Sequence, residues 1–171
     1  MRKLVVVFFI LAFAVLLFYN YYPGKSLAPG TVIDSIVVRK SERVMDVYSR
    51  HILLKSYRVA LGSNSVGSKQ FEGDEKTPEG HYIISDKNAK SAFRKNLGIS
   101  YPNDKDIEHS KKLGMSPGGD IKIHGLKNGL GFLGKLHRLT NWTNGCIAVD
   151  NAEIDELFAS TPISTPINIL P

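Results

Sequence analysis

The chain's single cysteine, Cys146, closes the run Thr143-Asn144-Gly145-Cys146, and a His124-Gly125 pair lies upstream of it. A thiol with an ordinary pKa near about 8.5 is mostly protonated at neutral pH, so a nucleophilic cysteine needs a neighbouring base and donors for the oxyanion its attack creates. His124 and His137 are the available bases. Gly145 removes the side chain beside the thiol, which lets backbone amides of the turn converge on a developing oxyanion. An inert buried thiol fits the same local pattern, because lone cysteines are among the most buried residues. The residues around Cys146 leave these two readings in balance.

Other chemistries fit less well. The spacings of His124, His137 and Cys146 match no common zinc-ligand pattern, so no metal or cofactor is assigned. A papain-like protease is disfavoured, since there the cysteine precedes the histidine. His51, His81 and His109 have no partner motif and read as surface or core histidines. Gly129, Gly131 and Gly134 satisfy G-x-G-x-x-G, but too little chain follows for a dinucleotide fold and the flanks do not read as strand then helix. That stretch is expected to be a mobile loop. Asn141-Trp142-Thr143 is a glycosylation triplet, but a glycan there would block a cleft at Cys146.

The elements that must position these groups read as mainly β. Ile33 to Lys40, Val44 to Tyr48 and Ile52 to Leu61 are rich in β-branched and aliphatic residues with short polar breaks, predicting consecutive antiparallel strands. Gly62 to Gly80 is turn-rich, and a strand follows at His81 to Ser85. Lys87 to Lys112 reads as polar and irregular. Asp120 to His124 alternates, with Ile121 and Ile123 on one face and Lys122 and His124 on the other. Gly145 to Val149 reads as a turn entering a short apolar strand. Asp150 with Glu153 forms a capping-box start for a helix whose apolar stripe is Ile154, Leu157 and Phe158, and Pro162 ends it. Pro166 to Leu170 can supply an edge strand.

The chain has 171 residues, enough for one domain and a short appendage. Its net charge is +6, but Arg2, Lys3 and Lys25 precede residue 31 without any acid, leaving +3 in the remainder. Acids and bases are interspersed, which argues against a nucleic-acid surface. Leu4 to Phe18 is an uninterrupted apolar run behind Arg2 and Lys3, the asymmetry of a segment inserted with its amino terminus in the cytoplasm. The run spans roughly 22 Å, short of a hydrocarbon core near about 30 Å, but Tyr19, Tyr21 and Tyr22 extend it to the headgroups. The best cleavage candidate, Ser26-Leu27-Ala28, is followed by Pro29, which favours an uncleaved anchor over a removed signal. A lipoprotein is excluded because no cysteine lies near the amino terminus. The expected organisation is an anchor at 1–22, a linker at 23–31 that lifts the domain off the membrane, and a catalytic domain at 32–171. One cysteine in an oxidising compartment forms no internal disulfide.

His124-Gly125, then Thr143, one residue, and Gly145-Cys146, resemble the signature of the L,D-transpeptidase (YkuD) catalytic domain: a His-Gly ending a strand, then Ser or Thr, one residue, Gly-Cys. The upstream turn of that family, Gly-Asp-x-Lys-Thr-Pro-x-Gly, is met at Gly73, Asp74, Lys76, Thr77, Pro78 and Gly80. The resemblance covers about Val32 to Phe158. It implies a YkuD-like mixed-sheet β-sandwich, a β-rich α+β fold with one or two short helices, preceded here by one transmembrane helix. It makes Cys146 the nucleophile, His124 the general base, the Gly125 carbonyl the acceptor that fixes the imidazole tautomer, and the amides of Gly145 and Cys146 the oxyanion hole.

It also implies acyl transfer from a peptidoglycan tetrapeptide stem through a thioester to an amine, in cell-wall organisation and cell shape. An L,D-carboxypeptidase or amidase on the same scaffold is the nearest alternative, and a non-catalytic wall-binding module is the rival that needs no thiol. Peptidoglycan stems and the inner membrane are the expected partners, with the domain in the periplasm or otherwise outside the cytoplasm. The chain departs from the family pattern at Asn144, where many members have His, and at Ala148, where they have Arg or Asn. With Ala148 uncharged, the substrate carboxylate is expected to meet Arg138 or Lys135. Thr143, Asn144, His137 and Tyr101 complete the candidate substrate-binding set, Tyr101 because Tyr101-Pro102-Asn103 resembles a cleft-lining segment.

Overall fold

Alternating apolar residues build most of the structure, a computed structural model that describes residues 2–22 and 24–171. The strands are β1 (Ser35–Arg39), β2 (Val44–Ser49), β3 (Ile52–Arg58), β4 (Gly80–Ser91), β5 (Arg94–Ile99), β6 (Lys122–His124), β7 (Ile147–Ala148) and β8 (Pro166–Leu170). The helices are α1 (Arg2–Tyr21), α2 (Asp104–Lys112) and α3 (Asn151–Ser160), with a 3-10 segment at Gly131–Leu139. One eight-stranded mixed sheet runs in the order β3-β2-β1-β8-β4-β5-β6-β7. β1 with β8 and β6 with β7 are parallel; the other neighbours are antiparallel. Beyond β3 the chain reaches the far end of the sheet, where Ala60 bridges Ala148 and Gly62 bridges Thr143. The sheet therefore curls until its two ends meet, enclosing a core that includes Ile36, Val47, Leu97, Ile123 and Leu157. The β-rich mixed-sheet expectation holds, with the two layers of the sandwich joined as one curled sheet.

Two local readings are corrected. Lys87 to Lys112 is not irregular: β4 continues to Ser91, β5 returns from Arg94 to Ile99, and α2 follows. The hairpin shows much polar surface to solvent, so its alternation was masked, and α2 buries only Ser110 and starts from an Asn103–Asp106 capping box. β8 is not an edge strand. It lies inside the sheet between β1 and β4, and Pro166, which lacks a donor, is tolerated because it is the first residue. The reading of α3 holds: Asp150 caps it, Glu153 closes the box, and Ile154 and Leu157 are buried.

Helix α1 is long and apolar enough to cross a membrane, its 20 residues spanning about 30 Å. Residues before and within the stretch 23–31 contact the domain. Leu27 packs against the core and its N–H donates to Glu156, while the end of α1 is bonded to the 3-10 segment. Asn20 Nδ2 and Tyr21 Oη donate to the Phe132 carbonyl, and Asn20 Oδ1 accepts from the Leu136 amide at 3.2 Å. The glycine-rich stretch expected to be mobile is thereby partly ordered as that 3-10 segment.

Candidate active site

Strand register puts His124 and Cys146 on the same side of the sheet. β6 and β7 are parallel, with Ile123 opposite Ile147 and His124 opposite Ala148. Ile121, Ile123 and Ile147 point into the core. The alternate residues Lys122, His124 and Cys146 therefore share the other face, and all three line one cavity of about 570 Å³. His124 is 6% exposed and Cys146 partly so, which leaves the sulfur accessible from the cavity. The thiol donates weakly to the Asp120 carbonyl at 3.7 Å.

The His124 ring is held on three sides. Nδ1 lies 2.7 Å from the Gly125 carbonyl and donates to it, so Nε2 is left as the free base nitrogen of the neutral ring. Phe93 and Trp142 flank the imidazole, at centroid distances of 4.7 and 5.7 Å. Gly125 is required for space, since a Cβ there would sit 2.8 Å from both Asn151 Oδ1 and Ile154 Cγ2 of α3. Burial holds His124 below the ordinary histidine value, Lys122 adds to this, and the Gly125 carbonyl opposes it. Burial likewise raises the Cys146 thiol, helped by Asp120 and opposed by the Lys122 backbone amide and the charges of Lys122 and Lys69. At neutral pH the cavity therefore holds a neutral thiol and a neutral imidazole.

The cysteine turn rests on the turn at Gly73–Gly80. Gly145 has φ +124°, and a Cβ on it would lie 2.5 Å from the Lys76 carbonyl, so no other residue fits. Asp74 fixes that turn by accepting from the amides of Gln70, Phe71 and Lys76 and from Lys69 Nζ. Thr77 Oγ1 accepts from the Gly62 amide. Thr143 Oγ1 donates to the Cys146 carbonyl at 2.7 Å and accepts from the Gly145 amide at 3.2 Å. The Gly145 N–H is thus engaged with Thr143 and does not point into an oxyanion hole, which corrects half of that expectation. Thr143 and Asn144 both line the cavity.

Four expected residues lie elsewhere. Arg138 is held by Asp150 and Glu153, its side chain only 12% exposed, and is absent from the cavity wall. Lys135 donates to the Tyr22 carbonyl and sits over the Tyr19 ring, at the end of α1. Tyr101 is buried and donates to the Pro117 carbonyl at 2.9 Å, bracing the loop before Gly119 rather than lining the cleft. His137 stands behind Trp142, whose Nε1 donates to its Nδ1 at 3.4 Å; its Nε2 is buried without a partner. Among the described residues, no three His, Cys, Asp or Glu side chains are grouped to hold a metal ion. Sequence reasoning missed Phe93, Asn96, Trp142 and the wall formed by Lys122 and Asp120. Phe93 and Asn96 lie in the hairpin read as irregular, while Trp142, beside the Gly-Cys turn, was the one readable aromatic signal.

Comparison with known proteins decides the family. The L,D-transpeptidase catalytic domain (YkuD) matches residues 33–169. The chain belongs to this family. A protein of Escherichia coli K12 named "Putative L,D-transpeptidase YafK" is 32% identical over 129 residues, 72% of this chain and 45% of YafK. The chain therefore spans under half the length of that relative. The helical cell shape determining protein Pgp2 of Campylobacter jejuni superposes with a TM-score of 0.62 at 24% identity, covering 85% of this chain and 51% of Pgp2. Bd1075 of Bdellovibrio bacteriovorus superposes with a TM-score of 0.56 at 23% identity, covering 85% and 50%. At these identities the two structures establish the shared fold. The L,D-transpeptidase domain here accounts for the curled sheet and for the placement of His124-Gly125 and Gly145-Cys146 at its far end.

Proposed function

We propose that the chain is a membrane-anchored, cysteine-dependent acyltransferase acting on peptidoglycan stem peptides outside the cytoplasm. One observation carries the reading: Cys146 and His124 project from the same face of paired parallel strands into one cavity, with Nδ1 of the imidazole tied to the Gly125 carbonyl. His124 Nε2 takes the thiol proton as sulfur attacks the peptide carbonyl of the third stem residue. The C–N bond to the terminal D-Ala breaks, the imidazolium returns its proton to the departing amine, and a thioester remains on Cys146. An acceptor amine then attacks the thioester carbonyl and gives a proton to His124, the C–S bond breaks, the imidazolium returns that proton to the Cys146 sulfur, and the acyl group leaves as a new amide, a 3→3 cross-link or an attached protein. The Cys146 amide is the oxyanion donor left by the geometry, since that of Gly145 is engaged.

On this reading residues 1–22 are the anchor, 32–171 are the catalytic domain, and the site lies in the periplasm or its equivalent; the apolar helix α1 supports it. The name of Pgp2 makes cell shape the physiological process to examine first. The partly exposed thiol supports a second reading, in which water replaces the amine and the enzyme trims stems or detaches proteins. Incubating the full chain in detergent with purified disaccharide-tetrapeptides and analysing the products separates these outcomes. Dimeric muropeptides support transfer, disaccharide-tripeptides alone support hydrolysis, and unaltered substrate leaves a non-catalytic wall-binding module.

A further inference from the structure

A row of side chains crosses three strands on the cavity face: Asn88 opposite Asn96, and Asn96 opposite His124. All three line the cavity. Asn88 Oδ1 is occupied by the Lys90 amide at 2.8 Å. Asn96 differs. It is 3% exposed, and its Oδ1 is buried without a hydrogen-bond partner. Leaving such a group unpaired costs about 1–3 kcal/mol, and an apolar residue of the same shape would remove that cost. The strand neighbour of Asn96, Leu97, and that residue's partner Ile123 point to the opposite face, into the core. The Asn96 carboxamide oxygen thus faces the cavity side of the sheet with no hydrogen bond inside the fold.

A carboxamide presents one acceptor and two donors, the same groups as a peptide bond. Directly cross-strand neighbours have Cβ atoms about 4.5–5.5 Å apart, so Asn96 stands one side chain away from the base. We infer that Asn96 is a substrate-binding residue whose carboxamide hydrogen-bonds a main-chain amide of the donor peptide, next to the carbonyl that Cys146 attacks. The inference rests on the acyl-transfer reading and names the group of the substrate that this wall recognises. It assigns recognition of the peptide backbone to β5, separate from recognition of the terminal carboxylate. Asn96 orients the scissile carbonyl and takes no part in proton transfer.

The test uses the full chain in detergent, with Cys146→Ala as the background in which a purified disaccharide-tetrapeptide binds without reacting. Asn96→Leu and Asn96→Ala are compared with that parent by calorimetric titration, and melting temperatures are recorded alongside. Loss of an amide–amide hydrogen bond predicts about tenfold weaker binding in both variants, with the melting temperature of Asn96→Leu equal to or above the parent's. With Cys146 restored, the iodoacetamide alkylation rate stays within about twofold of wild type, because the nucleophile is untouched. Affinity within about twofold of the parent overturns the inference. So does an alkylation rate that falls as far as the affinity, which would mean that Asn96 acts on His124 or Cys146. A Cys146→Ala parent that binds no tetrapeptide at all overturns the proposed function and this assignment with it.

Discussion

Acidification from pH 7 to pH 5 will cost this fold about 2 kcal/mol through His137 alone. Burial, then the charges of Arg138, His124 and Arg43, lower its pKa to about 3, and the residue is 7% exposed. In the unfolded chain it titrates near about 6.5. The folded value lies below the unfolded one, so the unfolded state binds the extra proton. Stability from this residue is complete above about pH 6.5 and is lost as pH falls toward about 3. The loss at pH 5 relative to pH 7 corresponds to a melting temperature about 4–8 °C lower. His137→Asn keeps an acceptor for Trp142 Nε1 but does not titrate, so it will be less stable at pH 7 and less sensitive to acid. Thermal unfolding of both proteins at the two pH values measures the difference. Equal pH sensitivity of wild type and variant refutes the argument, and with it the placement of a neutral imidazole with an unpaired Nε2 behind Trp142.

Gly145→Ala, which forces a Cβ to 2.5 Å from the Lys76 carbonyl at φ +124°, will destabilise by about 3 kcal/mol or more and abolish thiol alkylation at neutral pH. Retained alkylation would show that the turn tolerates a side chain. In the pH–rate profile, the acid limb of kcat/KM will lie below about 6.5, because burial and Lys122 keep His124 deprotonated; a limb at or above that value contradicts the site's electrostatics. Arg138→Ala strands Glu153 in a buried setting and will cost about 3 kcal/mol in denaturant unfolding, while KM for a tetrapeptide stays within about twofold. A large rise in KM would return Arg138 to the cleft.

The parts of the molecule legible from sequence were those governed by local rules. Alternation in Asp120 to His124 placed the histidine opposite the isoleucines, and the Asp150–Glu153 capping box located the start of α3. What could not be read depended on contacts between distant segments. β8 looks like an edge from its proline and terminal position, yet it pairs with β1 and β4 on either side. The β4–β5 hairpin carries too many exposed polar residues to show its period, and with it Phe93 and Asn96 were lost from the site. Arg138 was a plausible carboxylate ligand until Asp150 and Glu153 were seen to hold it. The glycine at position 145 was read as freeing amides for an oxyanion, whereas its main constraint is the Lys76 carbonyl packed against it.

The central claim is that Cys146 becomes acylated. Intact-mass spectrometry of the full chain, quenched in acid after mixing with disaccharide-tetrapeptide, measures this without reference to the acceptor. The account predicts an adduct of the substrate less D-alanine, mapped to Cys146, released by hydroxylamine, and missing in Cys146→Ala and His124→Ala. Product formation with no adduct in wild type, or undiminished product formation by Cys146→Ala, would contradict it.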